Sequence, residues 1–174
     1  MAWRGADDTE RTINRCLAPI SHLVRLKPLS VEPKSGSDET EKGAAMPLVR
    51  IDISKSASRE RVRDVGNAVY QAMIAVANVP VNDRFQVVTR HEPDEIIYPA
   101  EGYLGIDYTP DLIIIQVTWV GGRSTEVKQK FYRQIADEIH AKQGVRKQDI
   151  WISLVESGRE DWSFGNGEMQ YGPT

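Results

Sequence analysis

The residues with the most chemical potential stand at Met46-Pro47. A proline directly after an initiator methionine becomes the N-terminus once the methionine is removed. Its nitrogen is then a free secondary amine, able to act as base, acid or nucleophile. An ordinary α-amino group titrates at about 7.7–8.0, and desolvation or a nearby cation lowers that value by disfavouring the charged form. By itself the dipeptide is a weak signal, because proline at the start of a strand is common. Other chemistries have less to work with. Three histidines and the single Cys16 leave no internal disulfide to form, and neither a protein-built zinc site nor another cofactor is expected.

The elements around that proline are sharply patterned. Leu48–Ile53 alternates Val49, Ile51 and Ile53 with Arg50 and Asp52, the period of two of a half-buried strand. Ser58 caps a predicted helix whose apolar positions Val62, Val65, Val69, Ala72, Met73 and Val76 fall on one face. Val79-Pro80 ends it, and Phe85–Arg90 alternates again as a second strand. Leu112–Trp119 is a nearly continuous apolar strand, expected at the middle of a sheet covered on both faces. Ser124 caps a second helix with Val127, Phe131, Ile135 and Ile139 on one face, Gly144 ends it, and Ile150–Val155 is the last strand.

Ser58 and Ser124, Asp83 and Asp149, and Phe85 and Trp151 are each 66 residues apart. A shared offset implies an internal duplication. Each half reads strand–helix–strand, and a helical crossover joins parallel strands in a right-handed βαβ unit. Two units side by side make an α/β fold of the α+β type: one four-stranded sheet with both helices on one face. The other sheet face carries apolar side chains and needs a cover, most simply copies of the same chain, so an oligomer is expected.

Composition narrows the function. At 174 residues with 40% hydrophobic and 27% charged positions, the chain suits one globular domain with an appendage. No run approaches the roughly 18–20 apolar residues of a membrane span. A net charge of -3 with interspersed signs provides no basic footprint for nucleic acid and no polybasic membrane patch. A small-molecule partner and a reducing, cytoplasmic setting are expected. Residues 1–46 hold seven Lys/Arg and seven Asp/Glu, and Pro33–Gly43 has linker composition. They read as a flexible N-terminal extension, or as sequence upstream of a true start at Met46, before a domain at 47–174.

The βαβ duplication starting at a proline resembles the tautomerase superfamily, closest to its malonate semialdehyde decarboxylase-like branch. The likeness runs from Pro47 to about Gly167. It rests on Met46-Pro47-Leu48, on Val79–Gln86, on His91-Glu92-Pro93, on Arg123-Ser124 and on Asp161–Gly165. Such enzymes start with a catalytic proline and associate as trimers. The resemblance implies that Pro47 is the acid or base and that Asp83 holds a water or substrate hydroxyl or orients the amine. Arg123 is implied to clamp a substrate carboxylate, and Trp162 and Phe164 to wall the pocket. The branch carries two arginines before the second helix; this chain has Gly121 where the first would stand, which weakens the expectation of decarboxylation more than that of enol–keto proton transfer. Arg84 or Arg90 is the candidate replacement, with Arg84 the implied substrate-binding residue. The expected function is a cofactor-independent homotrimeric enzyme acting on small 2-oxo or 3-oxo acids, with malonate semialdehyde decarboxylase-like chemistry as the runner-up. The alternative is a non-catalytic oligomeric binding protein whose proline is blocked by the N-terminal arm.

Overall fold

The alternation at Leu48–Ser54 forms strand β1 in the computed structural model, which describes residues 47–172. The extension read at residues 1–46 lies outside the described residues. Helix α1 follows at Arg59–Ala75, where the Ser58 hydroxyl accepts from the Arg61 amide at 3.0 Å. Strand β2 is Phe85–His91, β3 is Ile113–Val120, α2 is Thr125–Gln143 and β4 is Ile150–Ser157. Ser124 caps α2 as Ser58 caps α1, its hydroxyl accepting from the Val127 amide. Gly144 ends α2 in the left-handed region at φ 65°, a conformation that costs glycine nothing.

The strand order is β2-β1-β3-β4. β1 runs parallel to β2 and β3 parallel to β4, while β1 and β3 pair antiparallel at the centre. The two βαβ units therefore abut through their first strands. Both helices cover one sheet face. Val49, Ile51, Ile53, Ile115, Val117 and Trp119 meet Val65, Val69, Met73, Phe131, Ile135 and Ile139 in a single core. The Trp119 and Phe131 rings pack at 5.1 Å between centroids. Replacing a ring of this kind by alanine in a close-packed core costs about 3–5 kcal/mol.

Two local outcomes refine the sequence reading. β3 buries its residues alternately rather than on both sides, because within one chain only the helix face is covered. β2 is held to α1 and to the turn before it by hydrogen bonds more than by apolar packing: Gln86 donates to the Gly66 carbonyl at 2.8 Å and Arg90 to the Ala57 carbonyl at 2.7 Å. A Cβ at Gly66 would lie 2.9 Å from Gln86 Oε1, so any larger residue there would push the end of this side chain aside. On the opposite face Phe85, Val87, Trp151 and Val155 remain exposed.

Candidate active site

Pro47 is buried at the mouth of β1. With Leu48, Phe85, Trp162, Ser163 and Phe164 it lines a cavity of about 270 Å3. The pairing explains the assembly: Leu48 is registered against Phe85 on β2, which sets both beside Pro47 at one end of the sheet. The far wall comes from the segment after β4. There the Trp162 and Phe164 rings stack at 5.7 Å with planes 18° apart, and Tyr171 meets Phe164 edge-on at 5.0 Å. Trp162 is fixed by its indole N–H, which donates to the Ser157 hydroxyl at 2.8 Å. That hydroxyl donates in turn to the Trp119 carbonyl at 3.2 Å. The Phe164 amide donates to Gln170, whose side-chain amide closes back on the Gly165 carbonyl. A wall so pinned keeps its shape and keeps water off the proline.

Asp83 sits in the turn before β2, two residues from Phe85, where its amide donates to the Pro80 carbonyl at 3.2 Å. Asn82 takes the left-handed conformation there at φ 76°, and its amide donates to the Tyr70 hydroxyl. One carboxylate oxygen of Asp83, Oδ1, is buried and has no hydrogen-bond partner among the described residues. Burial pushes the Asp83 carboxyl above its ordinary value, since desolvation penalises the charged form. A carboxylate left unsatisfied in a turn that needs no buried acid suits a group waiting for a ligand.

Arg123 follows β3 and precedes α2. Its Nε donates to the Ala77 carbonyl at 3.2 Å and one terminal nitrogen, Nη1, to the Val120 carbonyl at 2.9 Å, while the guanidinium lies 4.2 Å over the Trp119 ring. Burial lowers its pKa, the nearby Glu156 opposing, yet a guanidinium keeps its charge at any working pH. Arg123 does not line the Pro47 cavity. Its Nη2 makes no hydrogen bond among the described residues, which leaves one donor edge for an anion. Arg84 also lies outside that lining. It stacks 4.9 Å over Tyr70 and donates twice to Gln86 Oε1, tying the turn to β2.

The structure thus brings Pro47, Trp162 and Phe164 around one cavity, places Asp83 at the foot of the strand that supplies Phe85, and sets both arginines outside the lining, Arg84 engaged with Gln86 and Tyr70 and Arg123 with one donor edge left over. Leu48, Ser163, Gln170 and Tyr171 complete the site. Leu48 stood next to the proline and Ser163 lay inside a quoted motif, whereas Gln170 and Tyr171 carry no signal of their own, since only the fold of the last segment sets them against Phe164. Among the described residues no group of His, Cys, Asp and Glu converges as a metal site, and no helix is long and apolar enough to cross a membrane.

Comparison with known proteins gives this arrangement a family. A model described as "Tautomerase enzyme" matches residues 83–165. The probable tautomerase YusQ of Bacillus subtilis is 41% identical over 125 residues, which make up 72% of this chain and 98% of the relative. A crystal structure of FG41 malonate semialdehyde decarboxylase inhibited by 3-bromopropiolate is 40% identical, with a TM-score of 0.65 over 71% of this chain and 93% of its own. A fused 4-OT symmetric trimer, at 16% identity and a TM-score of 0.58 over 70% of this chain and 94% of its own, shares the fold. Its relatives are enzymes of isomerase or decarboxylase type, and the paired βαβ units carrying this cavity at the head of β1 belong to a member of the tautomerase superfamily.

Proposed function

We propose that the chain is a cofactor-independent enzyme in which Pro47, exposed as the N-terminus, transfers protons on small 2-oxo or 3-oxo acids. The observation that carries this reading is the proline's burial in a cavity walled by Phe85, Trp162 and Phe164. An amine there is desolvated, held below the titration range of a free amino terminus, and poised as a base at neutral pH. The amine removes the proton from the enol or from the carbon beside the carbonyl and returns it to the partner position. Asp83, with its unsatisfied oxygen, accepts a hydrogen bond from a water or substrate hydroxyl or orients the amine. The free edge of Arg123 anchors the carboxylate. With Gly121 beside it supplying no second cation, proton transfer is favoured over loss of the carboxylate. The similarity to malonate semialdehyde decarboxylase keeps decarboxylation as the second reading.

The same reading makes residues 1–46 an extension removed, or never translated, ahead of Met46. Its support is that 125 matched residues fill 98% of the tautomerase relative. It also makes the assembly a homotrimer, in which copies cover the apolar sheet face of β2 and β4, and places the protein in the cytoplasm with a small carboxylate as its partner. Retained residues 1–46 would leave Pro47 an imide with no basic nitrogen, and the protein would be a binding module.

The test is activity on an enolised arylpyruvate by two forms of known intact mass. The form starting at Pro47 is expected to be active, with an inflection in kcat/KM below about 7.7. The form with one extra residue before Pro47 is expected to lose at least about a hundredfold, as loss of a general base does. Equal activity of the two forms would remove the proline from the mechanism.

A further inference from the structure

The turn that carries Asp83 is held by three side chains with no counterparts in the other half of the duplication. Tyr70, on α1, sets its hydroxyl 2.9 Å from the Asn82 amide and accepts its hydrogen bond. The Arg84 guanidinium lies 4.9 Å over the Tyr70 ring and donates from Nε and Nη2 to Gln86 Oε1 at 3.1 and 3.0 Å. Gln86 in turn donates to the Gly66 carbonyl, four residues before Tyr70 on the same helix. Helix, turn and strand are thereby closed into one ring of contacts on either side of Asp83. Displaced by 66 residues, Tyr70, Arg84 and Gln86 become Ala136, Ile150 and Ile152, whose side chains offer no polar group.

The turn itself forms without this network. Its closing hydrogen bond, from the Asp83 amide to the Pro80 carbonyl at 3.2 Å, is matched in the second half by one from the Asp149 amide to the Arg146 carbonyl at 2.9 Å. There the carboxylate secures the chain, accepting from the Thr109 amide and hydroxyl and pairing with Arg146 at 3.3 Å. In the first half Tyr70, Arg84 and Gln86 take over that task, and Asp83 Oδ1 stays buried with no partner among the described residues. A buried acceptor left unpaired costs stability unless a ligand satisfies it. A ligand-binding aspartate therefore needs its turn fixed by groups other than its own carboxylate.

We propose that Tyr70, held by Arg84 and Gln86, is a positioning residue for Asp83, fixing the turn so that the carboxylate stays free to accept from a ligand. Arg84 acts on the turn and not on the substrate. The inference rests on the role given to Asp83 above and adds the device that makes that role possible.

The test uses the form starting at Pro47 and an enolised arylpyruvate. Tyr70→Phe, which deletes the hydroxyl alone, is expected to lower kcat about tenfold with KM within about twofold of the parent. Added to Asp83→Asn it is expected to cause no further loss, because its effect passes through the carboxylate. Arg84→Lys keeps the charge but neither the fork on Gln86 nor the plane over Tyr70. It is expected to lower kcat about threefold at unchanged KM, as Arg84→Met does. A second readout needs no reaction. In protein made with carboxyl-labelled aspartate, the Asp83 resonance is assigned by its absence in Asp83→Asn. It is expected to titrate lower in Tyr70→Phe than in the parent, since a loosened turn lets water reach a carboxyl that burial holds above its ordinary value. Losses that add in the double variant, an Asp83 titration that Tyr70→Phe leaves in place, or a KM raised in Arg84→Met and restored in Arg84→Lys would each overturn the proposal. Full activity in Asp83→Asn with the titration shifted would sustain the positioning and remove Asp83 from the proposed reaction.

Discussion

Asp83 and Asp149 stand at the same place in the two halves of the duplication, in the turn that launches the edge strand, and their surroundings have diverged. Asp149 is 1% exposed and saturated by Thr109 and Arg146, which ties the long β2–β3 connection to the foot of β4. Asp83 keeps a buried oxygen without a partner and is pushed toward the protonated form by burial. The neighbouring positions diverge in the same sense. Gln86 reaches across Gly66 to its carbonyl, whereas Ile152 and Tyr132 occupy the matching places with apolar contacts. The second half has filled its turn for stability, while the first has kept a polar, incompletely satisfied turn beside the Pro47 cavity. A duplicated fold can afford this division because the shared core holds both halves.

Substitution measures the divergence most directly at Asp149. Asp149→Ala empties a buried carboxylate position, strands the half-buried Thr109 amide and hydroxyl, and is expected to lose about 3 kcal/mol of stability, read as a lower denaturant midpoint at unchanged slope. Gln86→Ala removes the part-buried hydrogen bond to the Gly66 carbonyl along with the two exposed ones accepted from Arg84, and is expected to cost about 1 kcal/mol. A larger loss there than at Asp149 would reverse the assignment of roles to the two halves.

The smallest effect, and the one of opposite sign, belongs to Asp83→Asn. A carboxyl whose folded-state pKa is raised binds its proton more tightly folded than unfolded. Its stabilising share is therefore present below the ordinary value of 3.8 and is lost as pH rises through the raised folded value. At neutral pH the asparagine variant is expected to be more stable than the parent by on the order of 0.5 kcal/mol, kept small by the residual exposure of the side chain. The gain should vanish toward pH 3–4, roughly where the unfolded carboxyl itself takes up its proton. Activity at neutral pH is expected to fall in the same variant, the pattern of a group kept for function at a cost in stability. A variant less stable than the parent at neutral pH would show that Asp83 is a structural cap.

Much of this was legible in the order of residues. Alternation along β1, the serine caps of both helices, the glycine stop after α2 and the 66-residue offset follow from local rules, since each depends on the period of one element or the backbone freedom of one residue. Those local rules suffice for a four-stranded sheet with two helices on one face, and the proline at the head of β1 marks the end where the site lies. What the sequence left open needed distances between residues far apart in the chain. The exposed helix-facing side of β2, with Gln86 bonded to a carbonyl of α1 and Arg90 to the Ala57 carbonyl just before that helix, emerges only when strand and helix pack. Trp162, Phe164, Gln170 and Tyr171 become a wall because the segment after β4 folds back over Pro47. The engagement of Arg123 with two carbonyls and an indole, and the contrast between Asp83 and Asp149, are decided by tertiary structure alone. Hydrogen-bond saturation is a property of the neighbours that folding supplies, and two aspartates identical in the sequence acquire different chemistry only when those neighbours arrive.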